Sequence, residues 1–307
     1  MAHLAQKSDS PTLQFHRPVM AEQVAQLLAA GGPRLAIDVT VGTGGHAQAL
    51  LDATQARLLG VDRDERALAV ARQRLEHFGA RVKLVHCQFS ELAKVAAEEG
   101  FAPADAVIAD LGLSSLALDD AARGFSLRLE GPLDMRMDQA QRLSAYDLVN
   151  EEGEAELARI LREYGEERAA RRIARLIVAA RRRRPIETTT ELRALVERVL
   201  GGRRRPGGIH PATRTFQALR IAVNDELGEL DRLLADAPAM LSEGGRMVVI
   251  SYHSLEDRRV KQRFRALAAA GGFALVTAKA LRPGVAEVAA NPRARSARLR
   301  CLERGRR

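Results

Sequence analysis

Cysteine is nearly absent: the 307-residue chain has two, Cys87 and Cys301, far apart and without C-x-x-C spacing. That excludes a disulfide framework, gives no zinc knuckle and fits a reducing compartment. Tryptophan is missing and aromatics make up 4% of residues, so each Phe or Tyr near a binding site carries more weight. No run approaches the roughly 20 apolar residues of a membrane span, and Met1 to Ser10 lacks the apolar core of a signal peptide. The expectation is a cytoplasmic protein with no membrane partner. No internal repeat and no metal-ligand spacing stand out, so no metal is expected. With 46% hydrophobic and 28% charged residues, the chain has the composition of a globular protein long enough for one large α/β domain, or for a core carrying a smaller one.

Charge is present in excess and unevenly placed. The net charge is +9, yet residues 165–206 hold 13 Arg against 5 Glu and residues 293–307 hold 7 Arg against 1 Glu. These segments contribute +8 and +6, so the rest of the chain carries −5. Arginine concentrated in this way on a mildly acidic body points to a polyanionic partner; solvated helix faces are the plain alternative.

Short apolar runs alternate with helical spacing in the first part of the chain, as in a parallel sheet built from β-α units. Leu35–Val39, Leu58–Val61, Val82–His86 and Ala106–Asp110 are the expected strands, and Ala67, Val70, Ala71, Arg74 and Leu75 have helical spacing. The next strand, Met247–Ser251, follows an expected turn at Gly244-Gly245. Phe216–Leu241 reads as one crossover helix with its tail. Residues 115–211 are left as an inserted helical domain, with residues 1–114 and 212–307 as the core. Helices are expected over Glu154–Tyr164, Glu166–Arg183 and Glu187–Leu200, with breaks at Gly165, Pro185 and the Gly201–Gly208 loop. Thr188 or Thr189 caps the third, since Glu191 has capping-box spacing from Thr188. A last helix, Leu255–Ala269, begins at Ser254, with Asp257 three residues on; Phe273–Thr277 and Arg298–Leu302 form a final hairpin.

The most informative stretch runs from Leu35 through Asp38, Gly42, Gly44 and Gly45 to His46. Closely spaced glycines between a strand and a helix let the backbone approach a ligand without Cβ interference. Gly42, Gly44 and Ala47 also satisfy the loose G-x-G-x-x-G/A dinucleotide pattern, so the glycines alone do not choose a cofactor. Asp38 discriminates. A carboxylate beside an anionic pyrophosphate is repulsive, whereas beside the ammonium and sulfonium of S-adenosyl-L-methionine it is favourable. Asp62 ends the second strand 20 residues after Gly42, where an acid accepts both ribose hydroxyls; a helix cap is the alternative, and Asp64 competes for it. Phe89 covers the adenine face or is an ordinary core residue. Asp110, at the carboxyl end of the fourth strand, faces the ligand crevice of a doubly wound sheet, or serves as a turn former. The Asp-Pro-Pro-Tyr or Asn-Pro-Pro-Tyr signature of many amine methylases is not found at Asp110.

Seven motifs occur in order: Gly44-Gly45-His46, Asp110-Leu-Gly-Leu-Ser-Ser115, Arg123-Gly-Phe-Ser126, Gly131-Pro-Leu-Asp-Met-Arg-Met137, His210-Pro-Ala-Thr-Arg-Thr-Phe-Gln217, Ser251-Tyr-His-Ser-Leu-Glu-Asp-Arg258 and Asn291-Pro-Arg-Ala-Arg-Ser296. Together they resemble the successive signatures of the RsmH family, also called MraW, from His16-Arg-Pro-Val onward. The resemblance implies a class I methyltransferase, a Rossmann-like α/β fold with a mostly parallel sheet and an inserted helical domain for substrate recognition. It implies N4-methylation of a cytidine in the decoding region of small-subunit ribosomal RNA, free or in the assembled subunit, with a homodimer admitted as an assembly. Cofactor contacts carry over to Gly44, Gly45, His46, Asp62, Phe89 and Asp110. Leu116-Ala117 stands where the family has Pro-Gln, so the contact made by that Gln is lost or replaced; Tyr252 stands where Phe is commoner.

Methyl transfer from a sulfonium is an in-line displacement that needs alignment and exclusion of water. The delocalised N4 lone pair must be freed, and Asp110, or a backbone carbonyl in Leu111–Ser115, is expected to accept the amine's hydrogen bonds. Ser114 and His253 are the other catalytic candidates. Phe125 and Tyr252 are the aromatics placed to hold a flipped base, and His253, Glu256 and Asp257 are expected to border the acceptor, with Ser254 as a cap. Two other function classes stay open: an RNA-binding assembly factor that holds the cofactor without turnover, and a nicotinamide-dependent oxidoreductase, which Asp38 and the Arg blocks disfavour.

Overall fold

A computed structural model of the chain describes residues 18–201 and 210–306. His16 and Arg17, where the likeness starts, and residues 202–209, with Arg203 to Arg205 of the Arg block and most of the expected Gly201–Gly208 break, lie outside the described residues, as does Arg307.

The chain opens with α1 (Ala21–Ala29), β1 (Leu35–Asp38), α2 (Gly45–Ala53), β2 (Arg57–Asp62), α3 (Glu65–Leu75), β3 (Val82–His86), α4 (Leu92–Glu98) and β4 (Ala104–Asp110). A helical stretch follows: α5 (Ser115–Asp119), α6 (Ala145–Glu151), α7 (Glu154–Glu163), α8 (Ala170–Arg181), α9 (Thr189–Leu200), α10 (Thr213–Asn224) and α11 (Glu226–Asp236). The chain then returns to the sheet with β5 (Leu241–Ser251), α12 (Ser254–Ala270), β6 (Phe273–Leu275), α13 (Val285–Ala290) and β7 (Arg298–Arg304).

Among the described residues the strands form one sheet in the order β3-β2-β1-β4-β5-β7-β6. The first five are parallel, and β7 runs antiparallel to both β5 and β6. Both faces of the sheet are covered. Alternate side chains of a strand point to opposite faces, so Ala36, Leu58, Ile108 and Ile250 pack on one side with Leu28, Leu50 and Leu68 of α1 to α3. Ile37, Leu59, Val107 and Val249 pack on the other with Leu92, Leu233 and Phe264 of α4, α11 and α12. Two buried faces are why these strands read as unbroken apolar runs. The strand order reverses between β1 and β4, which puts the crevice of a doubly wound sheet at their carboxyl ends.

Among the described residues the helical stretch adds no strand. Leu157, Leu161, Ile173, Ile177, Leu192 and Val196 of α7 to α9 form a separate apolar cluster, joined by Phe216 and Leu219 of α10. Each such burial is worth about 1.5–3 kcal/mol. Thr188 caps α9 in a capping box with Glu191, and the helices expected over this region are present with shortened ends.

Three local expectations are corrected. Gly244-Gly245 is not a turn before β5 but an irregularity inside it, where the register on β4 jumps from Ala104↔Leu241 to Ala106↔Arg246. Gly244 sits at φ 77°, and a Cβ on Gly245 would lie 2.8 Å from the Ser242 carbonyl. Phe216–Leu241 is two helices, broken at Asp225 with φ 45°, and the first of them packs in the helical cluster. The cap of α12 is His253, boxed with Glu256, rather than Ser254 with Asp257.

Candidate active site

A crevice of about 610 Å³ opens at the carboxyl ends of β1, β2 and β4, lined among others by Thr40, Asp62, Phe89, Asp110, Met137 and Glu256. Its position, outside the carboxyl ends of the strands where the strand order reverses, is that of a ligand site in a doubly wound sheet. Sheet, helical stretch and α12 therefore each supply a wall.

The glycine loop forms because its backbone enters a region closed to most residues. Gly42 and Gly44 have φ of 51° and 83°, and Gly44 starts α2. A Cβ on Gly45 would sit 3.0 Å from the Pro18 ring. The loop is tied to β2 by the Gly42 N–H, which donates to Asp62 at 2.8 Å. The other Asp62 oxygen accepts from the Asp64 N–H at 2.9 Å. Burial, against these two bonds, raises the Asp62 carboxyl above its ordinary range. Each oxygen keeps a lone pair for an incoming hydroxyl. Asp64 takes the helix-cap role, accepting from the Arg66 N–H at 3.0 Å.

Asp38 is 1% exposed. One oxygen accepts from the Thr40 N–H at 3.1 Å; the other is buried with no hydrogen-bond partner among the described residues. Burial pushes its carboxyl up to about 7. His46, also buried, brings Nε2 to 3.2 Å from Asp110 Oδ2, while its Nδ1 has no hydrogen-bond partner. Burial alone would lower the imidazole pKa, but the Asp110 hydrogen bond and the charges of Asp110 and Asp38 outweigh it and hold the ring above its ordinary value. His46 and Asp38 thus sit behind Asp110, which itself lines the crevice.

Asp110 is gripped from several sides. Its N–H donates to Thr40 Oγ1 at 2.6 Å. The Gly112 N–H reaches its Oδ1 at 3.4 Å, and the Tyr252 phenol lies close enough to feel the Asp110 charge. Burial, followed by the Asp110 charge, raises the Tyr252 phenol well above its ordinary value, so it stays a protonated donor. Gly112 leaves room for that ring: a Cβ there would be 2.8 Å from it.

The crevice gathers Asp62, Phe89 and Asp110, with Asp38, His46 and Tyr252 adjoining through Thr40 and Asp110. It does not gather every candidate. Phe125 is 7% exposed inside the helical cluster, beneath the Arg123 guanidinium; a ring covered on both sides has no face for a base. The Ser114 oxygen accepts from the Ala117 N–H at 3.2 Å, capping α5. His253 caps α12. Glu256 does line the crevice, whereas Asp257 is taken by Arg298 and Arg300 of β7 at 2.8 Å each. Ala117 is buried in the helical cluster, turned away from the crevice.

Other wall residues carry no chemical signal of their own in the sequence, although Arg123 and Met137 lie within two of the ordered motifs. Glu226 and Glu229 of α11 and Met137 reach the crevice from distant segments. Arg123, 1% exposed, pairs with Asp64 at 2.9 Å and donates to the Arg136 and Met137 carbonyls. It joins the end of β2 to the wall that carries Met137. Cys87 also lines the crevice, but burial pushes its thiol up to about 12, leaving it inert at neutral pH.

Among the described residues one group has metal-ligand spacing: Glu226, His253 and Glu256, with ligand atoms within 4.8 Å of one another. A cation is already built in, since the Arg220 guanidinium donates to both oxygens of Glu226 at 2.7 Å. Glu256 Oε2 in turn accepts the N–H groups of Tyr252 and His253. No described helix is long and apolar enough to cross a membrane.

Residues 13–305 match the MraW methylase family. The ribosomal RNA small subunit methyltransferase H of Acidothermus cellulolyticus is 50% identical over 315 residues, covering 97% of this chain and 96% of that protein. The proteins of the same name from Geobacter sp. and Methylobacterium nodulans are 48% and 49% identical over 94% of this chain, and the alignments cover 98% and 90% of theirs. The chain belongs to the MraW methylase family, a family of S-adenosylmethionine-dependent methyltransferases.

Proposed function

We propose that the chain methylates the N4 amine of a cytidine in the decoding region of small-subunit ribosomal RNA, acting in the cytoplasm. Relatives named small-subunit ribosomal RNA methyltransferases, up to 50% identical across nearly the whole chain, support the substrate class. The observation that carries the chemistry is Asp110, a strand-end carboxylate that lines the crevice, its backbone fixed by Thr40 and its side chain by His46.

The residues fit the cofactor. Asp38 has a buried oxygen without a partner, which suits a cationic group such as the ammonium of S-adenosylmethionine. Asp62 suits the ribose and Phe89 the adenine, while Gly42, Gly44 and Gly45 allow close approach. When bound, the cofactor supplies an electrophilic methyl group on a sulfonium. Asp110 accepts an N–H of the cytosine amine and draws its lone pair out of conjugation. With the lone pair freed toward the methyl group that the bound cofactor would supply, the Asp110 carboxylate would take up the surplus amine proton. His46, behind Asp110 with a raised pKa, steadies the negative charge until that moment. Residues 115–211 serve as the substrate-recognition part and residues 1–114 and 212–307 as the cofactor core, with α10 packed against the recognition part.

Calorimetry should show binding of S-adenosylhomocysteine and none of NAD. An Asp110→Asn protein should bind S-adenosylhomocysteine within a few-fold of the parent yet lose about 10²-fold or more in turnover. Undiminished turnover with normal cofactor affinity would remove Asp110 from the mechanism.

A further inference from the structure

The arginine-rich segment divides, in three dimensions, into residues the fold uses and residues it leaves outside. Arg181 donates to the Val149 and Glu152 carbonyls, Arg193 to that of Leu127, and Arg184 pairs with Glu191. By contrast Arg168, Arg171, Arg182 and Arg183 are exposed and have no partner among the described residues. Arg175 is 76% exposed, with Glu154 no nearer than 3.7 Å.

These free cations are not scattered. At about 100° per residue, Arg171, Arg175 and Arg182 fall within roughly 40° of one another around α8 and its C-cap. The opposite face, Ile173, Ala174 and Ile177, is buried in the helical cluster. From Arg171 to Arg182 the helix rises about 16 Å, the axial length of about five phosphates on one strand. Like charges brought this close on an exposed face repel one another unless an anion is bound.

The stripe is also tied to α12, the helix whose Glu256 lines the crevice. Its lead-in is pinned to the N-terminus of α12: Ser254 Oγ donates to Glu166 at 2.5 Å, Arg258 to the same carboxylate at 3.2 Å, and Arg214 to the Glu166 carbonyl at 3.3 Å. Ser254 lies two residues from Tyr252, and Glu256 lines the crevice itself. Arg168 follows Glu166 by two residues, so the row of guanidiniums begins beside this contact with α12.

We propose that the outer face of α8, carried by Arg168, Arg171, Arg175 and Arg182, is a docking surface for the phosphodiester backbone of RNA. It holds the strand flanking the base in the crevice, and rests on the proposed RNA substrate. The surface reads phosphates and not bases, since the exposed side chains along the stripe are cations and Val178 between them is partly buried against the helical cluster.

The test is equilibrium binding of purified small-subunit ribosomal RNA over a salt series, using the parent protein and an Arg171→Gln/Arg175→Gln/Arg182→Gln triple variant. An Arg72→Gln/Arg265→Gln/Arg282→Gln protein, altered at exposed arginines elsewhere, is the control. The slope of log affinity against log salt should flatten by about 2–3 in the first variant, at roughly 0.7–0.9 per phosphate lost. The control should keep the parental slope, and Lys at the same three positions should restore it. S-adenosylhomocysteine affinity should stay within twofold throughout, marking the variants as folded. An unchanged slope would overturn the proposal. So would a defect confined to assembled subunits with naked RNA unaffected, which would assign the face to a ribosomal protein. Binding does not depend on turnover, so a parent that binds RNA with this slope but fails to methylate would fault the proposed reaction and leave the surface standing.

Discussion

Replacing Asp38 with Asn should make the ligand-free protein more stable above neutral pH while weakening its grip on the cofactor. The side chain is 1% exposed, with one oxygen on the Thr40 N–H and the other unpartnered. Burial lifts its carboxyl from 3.8 to about 7. The folded pKa lies above the unfolded one, so the folded state holds the extra proton between those values and stability falls as pH rises through that window. At 1.36 kcal/mol per unit, a rise of about three units is on the order of 4 kcal/mol once the group is ionised. About 2–3 kcal/mol of that is lost between pH 5 and pH 8. Asn keeps the shape and the Thr40 bond without ionising, although its buried amide costs roughly 1–3 kcal/mol at every pH. Urea unfolding of both proteins at pH 5 and pH 8 should show the stability difference moving toward the variant by about 2–3 kcal/mol. Calorimetry with S-adenosylhomocysteine should move the other way. The parent tightens as pH rises through about 7, because an ionised carboxylate then meets the ligand ammonium; the variant stays weak and nearly flat. Parallel unfolding curves would refute the ionising buried carboxylate, and equal ligand affinity would remove Asp38 from the cofactor site.

Gly112→Ala puts a Cβ 2.8 Å from the Tyr252 ring, which must retreat and carry its hydroxyl away from Asp110. Steady-state kinetics should show turnover falling by about 10–100-fold with cofactor affinity within twofold. Arg123→Met strips Asp64 of a buried partner and should cost about 3–5 kcal/mol in urea unfolding, with Arg123→Lys recovering part of the loss; a change below about 1 kcal/mol would show that the Asp64 pair is not needed.

The parts of the fold legible from sequence were those whose physics is local. Strands covered on both faces announce themselves as apolar runs, and Val82–His86 has the bounds expected of it. Asp62 and Asp110 could be read as crevice residues because a strand end in a doubly wound sheet faces the crevice, whatever the rest of the chain does, whereas Asp38 was read from the sign of its charge. Gly244-Gly245 misled because a turn and a strand irregularity use the same positive-φ glycine, and only the register on β4 separates them. The break at Asp225 left no trace, since Asp tolerates the left-handed region without needing it. Phe125 and Arg123 were unreadable for a different reason: their surroundings come from elsewhere, Asp64 lying 59 residues from Arg123. Glu226 and Met137 likewise reach the crevice only through tertiary packing. His253 carries a motif histidine, yet its visible work is to cap α12, a role that local sequence assigned to Ser254.

The central claim is methyl transfer to a cytidine amine of small-subunit ribosomal RNA. Its most direct test is to incubate the protein with methyl-labelled S-adenosylmethionine and small ribosomal subunits that lack the modification, digest the RNA and analyse the nucleosides by mass spectrometry. The account predicts label in N4-methylated cytidine, lost in the Asp110→Asn protein. Bound cofactor with no labelled N4-methylcytidine, or label on another atom, would contradict it.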